Sequence, residues 1–403
     1  MDLSFLPALP PAFGQTFLVG ALLLAGLLGG ELARRAFGLP RIVGYALAGI
    51  LLGPQASGVL GPGALGNARV LIDLSLGLVV FELGHRLDYA WLKRNRWLFA
   101  AAIAESVFCF WAIHGALLAF GFAPLLAASA AAIGTATSPA VVLLVAHELR
   151  SAGQVTERML LFTAVNSVFA YLVLTLLLPF LHLEREMDWS HAVLHPAYLL
   201  GGSVLAGVVA SLALLALARW VGKREDRQFI LLVAVVVLAV GAARNLNLSV
   251  VVTLITLGLL ARNLDARHVL LPLRFGYGGQ LFFVILFVLT GASLQFAPLA
   301  EVGLAVAAFI AARFAGKALA LLAFGRLSGM GAANAGLLSV ALLPMSGMAV
   351  VMVLDTAALY PEFGGKLAGV VMSAVALLTL LGPVATQFAL KRAGEADPAA
   401  AGS

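Results

Sequence analysis

Apolar residues fill this chain in long stretches that are interrupted only by short clusters of charge, proline and glycine. No apolar/polar alternation runs through the stretches, so a membrane β-barrel is not expected. A helix needs about 20 mostly apolar residues to cross the hydrocarbon core. A window of that length, broken at the charged and Pro/Gly clusters, predicts thirteen spans. They lie near 13–36, 39–54, 68–87, 96–120, 122–149, 155–181, 195–221, 227–243, 248–263, 276–296, 299–325, 330–354 and 365–390. The expected fold class is an all-α polytopic membrane protein, with residues 1–392 in the membrane domain and 393–403 as a disordered cytoplasmic tail.

Composition removes the soluble alternatives. Of 403 residues 62% are hydrophobic and 11% charged, against roughly 25% charged in soluble domains. A soluble enzyme, a disordered chain and a nucleic-acid reader are excluded, and the net charge of +6 has to be read as topology. The lone Cys109 supplies neither a disulfide framework nor a Cys-based metal site. No P-loop and no dinucleotide fingerprint occur, so no cofactor, no enzymatic activity and no nucleotide-gating domain are expected in this chain.

The cations sort by side. Asp2 before the first apolar run, with Arg34 and Arg35 after it, reverses the order of a secretory signal and puts the N-terminus outside. Counting onward, nineteen cations fall on the cytoplasmic side and four (Arg69, Arg185, Arg244, Lys366) outside. That is the positive-inside pattern, and it predicts a cytoplasmic C-terminus in the inner membrane. Arg313 and Lys317 are the exceptions, inside span 11 and four residues apart, hence on one helix face. A charge at the bilayer centre costs roughly 2.5–3.5 kcal/mol, which marks such residues as functional candidates unless Lys317 snorkels toward the interface.

Two spans carry internal breaks. Span 5 contains Gly134-Thr135-Ala136-Thr137-Ser138-Pro139, and span 12 contains Leu343-Pro344-Met345-Ser346-Gly347. Such breaks are tolerated only where the freed backbone is shielded from lipid. Ordinary proline kinks would explain each alone. Together they lie seven spans apart, an odd offset that makes the two helices run oppositely. Spans 1–6 and 8–13 are therefore expected as inverted repeats around linker span 7, with the broken helices crossed.

With these features in place, the chain resembles the cation/proton antiporter superfamily, the sodium/proton exchanger fold. Leu39-Pro40-Arg41-Ile42-Val43-Gly44-Tyr45 through Gly49, Gly53 and Pro54 resembles the family's opening motif. Asp73-Leu74-Ser75 through Phe81, Gly84 and Asp88 resembles its next helix, and Ala136-Thr137-Ser138-Pro139 its first crossing break. Ala164-Val165-Asn166-Ser167 falls where the family places its ion-binding pair, with Arg313 and Lys317 on the helix that supplies the opposing basic residue. The resemblance implies a homodimeric exchanger of a monovalent cation (Na⁺ or K⁺) and protons in the lipid bilayer, without nucleic acid.

The departures matter as much. Ser167 stands where the family's ion-binding aspartate is expected, Ser138 replaces an acid of the break, and Arg86 replaces a glutamate. A serine hydroxyl neither ionises near neutral pH nor offers a cation more than a neutral oxygen. Three explanations stand. Another buried acid carries the proton, with Asp73 and Glu105 the leading candidates and Glu82 (beside Arg86) and His114 behind them. Alternatively, a neutral site carries a different solute without proton exchange. Or exchange is lost and the protein serves as a regulatory or scaffold subunit. The expected ion site comprises Asn166, Ser167, Thr137, Ser138 and Asp73, with Arg313 and Lys317 compensating charge at breaks marked by Pro139, Pro344, Ser346 and Gly347. Neutral residues at Asn166 and Ser167 favour an electroneutral cycle. His182, His191 and His195 with Glu184, Glu186 and Asp188 match no metal-ligand spacing and read as a solvated outer loop; His147 and Glu148 read as solvated interface residues.

Overall fold

The computed structural model describes residues 14–183, 189–265, 269–270, 276–294, 299–345, 347–359 and 361–397. In chain order the helices are α1 (Gln15–Phe37), α2 (Arg41–Leu52), α3 (Pro62–Asn67), α4 (Arg69–His85), α5 (Tyr89–Arg94) and α6 (Arg96–Ala119). Then come α7 (Pro124–Thr135), α8 (Pro139–Glu148), α9 (Gln154–Leu183), α10 (Trp189–Val221), α11 (Glu225–Asn245) and α12 (Val250–Asn263). The last are α13 (Gly276–Ala292), α14 (Leu299–Phe324), α15 (Ala332–Ala341), α16 (Gly347–Leu359) and α17 (Pro361–Arg392). Among the described residues there are no strands, as a lipid environment demands when every backbone group must be paired internally.

Each predicted interval coincides with a helix or, for spans 5 and 12, with a helix pair. The short helices α3 and α5 were not expected. Among the described residues, eight segments are long and apolar enough to cross a bilayer, whereas α2, α12, α15 and the stretch Gln280–Ala292 are shorter. Burial separates their surroundings. The most apolar window of α1 is 22% buried and turns most of its surface outward, while that of Pro124–Glu148 is 100% buried. The broken helix pair α7–α8 is thus sheathed in protein from Leu126 to Ala146, where freed backbone groups can be satisfied.

The start of the tail is ordered, which corrects the expectation of a disordered segment from 393. Glu395 accepts hydrogen bonds from Val155 N and Thr156 N, both 2.7 Å, and from Thr156 Oγ1 at 2.7 Å. Its backbone carbonyl accepts from Ala152 N, and Asp397 N donates to Leu149 O. A carboxylate over the first turn of α9 satisfies amides that a helix leaves open and meets its positive end. A run of small residues gave no warning of this cap.

The helices pack in two groups. One, the frame, contains α1, α2, α4 and α10–α13. The other, the core, contains α6–α9 and α14–α17. Contacts within the frame are reciprocal. A Cβ on Gly49 of α2 would strike the Val288 carbonyl of α13, and one on Gly291 of α13 would strike Ala46 O of α2. In α4 and α12, Gly84 lies against Ile255 O and Gly258 against Phe81 O in the same way. Exchanging α2 with α12 and α4 with α13 therefore reproduces the contact. Glycine is required at these four places because the backbones touch with no room for a side chain.

Candidate ion-exchange site at the helix crossing

The core group brings its two breaks together. Pro139 has no amide to donate, and Thr137 and Ser138 are left outside both flanking helices. Ser138 N donates to Pro344 O at 3.0 Å, and Thr137 Oγ1 donates to Leu342 O at 3.1 Å. The Ser138 hydroxyl caps α8 by accepting from Val141 N at 3.4 Å. In the bonds between the two breaks, the first supplies the donors and the second the carbonyl acceptors.

Asn166 on α9 clamps the first break with both ends of its amide. Its Oδ1 accepts from Thr137 N at 3.1 Å, and its Nδ2 donates to Thr137 Oγ1 at 3.0 Å. Asn166, Ser167 and Thr137 are all buried. Ser167, one residue on, turns back on its own helix and donates to Thr163 O at 2.6 Å. The structure does not bond its hydroxyl to the crossing, unlike that of Thr137.

Both cations of α14 reach the crossing, as their shared face predicts. Arg313 donates to Gly134 O, to Leu342 O at 3.2 Å and to Pro344 O at 3.3 Å. It thereby binds the carbonyl ends of α7 and α15 together, where helix dipoles concentrate negative partial charge. Among the described residues no carboxylate pairs with it. Lys317 forms an ion pair with Glu105 of α6, and donates further to Thr135 O at 3.1 Å and Thr137 Oγ1 at 3.4 Å. All three ammonium protons are thus engaged. Lys317 and Glu105 are both 0% exposed, so Lys317 does not snorkel to the interface. Ser106 Oγ also donates to Glu105 at 3.4 Å.

The α6–α14 contact holds this pair in place. A Cβ on Gly316 would meet Cys109 Cα and Phe108 O, both at 2.7 Å, so the backbones lie too close for another residue. Glu105, Lys317, Thr137 and Asn166 then form one continuous polar chain through the apolar core.

Asp73 is not part of it, contrary to its place in the expected ion site. It pairs with Arg244 at 2.5 Å in the wall of a cavity of about 630 Å³ that also includes Tyr171, Thr175, His195 and Thr356. Glu82 pairs with Arg86 at 2.8 Å as its neighbour suggested, and also with His147 at 3.3 Å. His114 stacks on Phe110 with ring centroids 5.9 Å apart, away from the crossing. Gly347 begins α16 beside the second break. Ser346 lies outside the described residues, as do Glu184, Glu186 and Asp188 of the outer-loop cluster.

A family model described as sodium/hydrogen exchanger, transmembrane, matches residues 19–392. The chain belongs to the sodium/hydrogen exchanger family. A search of curated proteins finds no match. Two structures of the sodium proton antiporter MjNhaP1 from Methanocaldococcus jannaschii are similar in fold. One, determined at pH 8, aligns at TM-score 0.64 and 15% identity over 97% of this chain and 96% of that one. The other, an electron-microscopy map, aligns at TM-score 0.70 and 17% identity over 96% of this chain and 100% of that one. For this member of the sodium/hydrogen exchanger family the all-α antiporter fold and a transporter rather than an enzyme follow directly.

Proposed function

We propose that this exchanger-family protein trades one monovalent cation, Na⁺ or K⁺, for one proton, with Glu105 and Lys317 as the exchanging pair. The observation that carries the reading is the buried Glu105–Lys317 ion pair touching Thr137 at the crossing. An arriving cation competes with the Lys317 ammonium for the Glu105 carboxylate. Thr137 Oγ1 and the Asn166 amide oxygen add neutral ligands of the kind hard cations take. A lysine deprived of its carboxylate in a dry site gives its proton to water, because a lone buried ammonium is costly. The reverse step reloads Lys317 and expels the cation.

Charge is conserved at each stage. Glu105⁻ with Lys317⁺ is neutral, and Glu105⁻ with a bound cation and uncharged Lys317 is neutral too. The cycle is therefore electroneutral, and Ser167 needs no charge for it to run. Arg313 stays ionised throughout and holds the helix ends against one another. The core group, carrying the crossing, moves against a frame that forms the homodimer in the cytoplasmic membrane, with the N-terminus outside and the C-terminus inside.

The test is proton efflux from everted vesicles, read with a pH-sensitive dye. Addition of Na⁺ or K⁺ to the wild type should dissipate the gradient, and Glu105→Gln should not respond. Absence of any wild-type response to Na⁺, K⁺ or Li⁺, with a control exchanger active, would remove the reading. Acceleration by membrane potential at zero pH gradient would overturn electroneutrality, since moving one net charge across 100 mV is worth about 2.3 kcal/mol.

A further inference from the structure

The two ends of α4 meet the core group differently. Near its start, Asp73 and Leu76 line the 630 Å³ cavity together with Met352 and Thr356 of α16. About 13 Å further along, at 1.5 Å per residue, Glu82 sits where the core closes against the frame. There His147, in the last turn of α8, lies 3.3 Å from the Glu82 carboxylate and 2.7 Å from Arg86 Nη2. The next residue, Glu148, accepts from Arg41 N in the first turn of α2 at 3.2 Å. The Arg41 side chain itself is drawn aside to Glu31, 2.7 Å away.

Both contacts join a half-helix that leaves the crossing to helices of the frame. Neither is needed to build the core group, since α8 is already held by α9 and α17. The second contact is also incomplete. Glu148 Oε1 and Arg41 Nε are buried without a hydrogen-bond partner, unlike the saturated Lys317 ammonium. A joint that leaves such groups unpaired is held less firmly than one that satisfies them.

We propose that His147 and Glu148 form a two-point gate that shuts the α8 end of the pathway while the α16 end stands open on the cavity. His147 closes on Glu82 and Arg86, and Glu148 closes on the α2 backbone at Arg41. Release of both points lets α8 leave α4 and α2, opening that end as the cavity around Asp73 and Thr356 collapses. The gate rests on the alternating movement proposed above, but its test reads accessibility rather than transport.

Thiol labelling with a membrane-impermeant reagent, in a Cys109→Ala background, provides that test. Val145→Cys reports the α8 end, where the residue is buried now, and His195→Cys the cavity, where the residue is exposed now. Adding His147→Ala with Glu148→Gln should speed labelling of Val145→Cys at least fivefold from its own face and slow that of His195→Cys by a similar factor. Exchanging the partners, Glu82→His with His147→Glu, should keep both rates within twofold of the parent. Any result other than opposite shifts overturns the gate: unchanged rates mean the contacts are idle, and rates rising together mean they are packing. Opposite shifts in a protein that moves no cation would instead fault the exchange reading and leave the gate standing.

Discussion

The two broken helix pairs occupy equivalent places in the fold and differ in the polar groups they present. The first, α7–α8, carries its polarity in side chains and amides: Thr137, Ser138 and the Asn166 clamp upon them. The second, α15–α16, offers the carbonyls of Leu342 and Pro344 from an otherwise apolar run. Their far ends differ too, α8 docked on Glu82 and Arg41 and α16 facing a cavity. Both pairs offer carbonyls that Arg313 ties together, Gly134 O in the first and Leu342 O and Pro344 O in the second, but only the first adds side-chain and amide donors. In the proposed cycle the exchangeable charge sits at a single point, the Glu105–Lys317 pair.

Five variants would break or sharpen that contrast. The largest effect is expected at Glu105. Glu105→Gln should abolish dye-monitored exchange and lower stability in detergent by about 3–5 kcal/mol, because it strands a buried ammonium. Replacing both partners, Glu105→Leu with Lys317→Met, should recover most of that stability while leaving exchange absent. Thermal unfolding of both variants separates charge pairing from chemistry; equal losses for single and double variants would contradict the pairing.

Arg313→Lys comes next. A point-like ammonium cannot span Gly134 O, Leu342 O and Pro344 O as a planar guanidinium does. The unsatisfied carbonyls should cost about 1–3 kcal/mol, visible as a lower denaturation midpoint with the Lys317 chemistry still present. If Arg313→Lys is as stable as the parent, the tie between the two acceptor ends is not what holds the crossing.

Asn166→Ala removes two hydrogen bonds from the donor half alone, at about 0.5–1.5 kcal/mol each. Cation affinity in the dye assay should fall about tenfold or more, with half-maximal response moved to higher Na⁺ or K⁺ and the maximal response largely kept. A loss of maximal rate at unchanged affinity would place Asn166 outside the ion's reach.

The smallest effect is expected at Asp73. Its partner Arg244 is 38% exposed, and pairs of that kind contribute about 0–1 kcal/mol. Asp73→Asn should leave exchange within about twofold of the parent. A loss as severe as that of Glu105→Gln would restore Asp73 as the proton carrier and move the chemistry out of the crossing.

Much of this protein is legible along the chain. Span positions follow from apolar length, and the two breaks from Pro139 and Pro344. The common face of Arg313 and Lys317 follows from a four-residue spacing. Glu105 was visible as a buried acid, but so was Asp73, and nothing in one dimension says which of them meets Lys317. The reciprocal glycines Gly49, Gly291, Gly84 and Gly258 were hidden for a related reason: glycine is common here, and only a facing carbonyl distinguishes a required one. Glu148 read as a solvated end because Arg41, which receives it, is distant in sequence; His147 does remain exposed, and only its contact with Glu82 was hidden.

The sequence by itself determined a membrane-embedded helical exchanger fold, because hydrophobic length, proline breaks and isolated charges act locally and leave a local record. The tertiary structure decided which polar groups meet at the crossing. It put Glu105 of α6 against Lys317 of α14, turned Ser167 onto its own helix and sent Asp73 to a cavity wall. Those outcomes depend on which helices lie within a few ångströms of each other, and a buried charge takes the partner that packing brings to it.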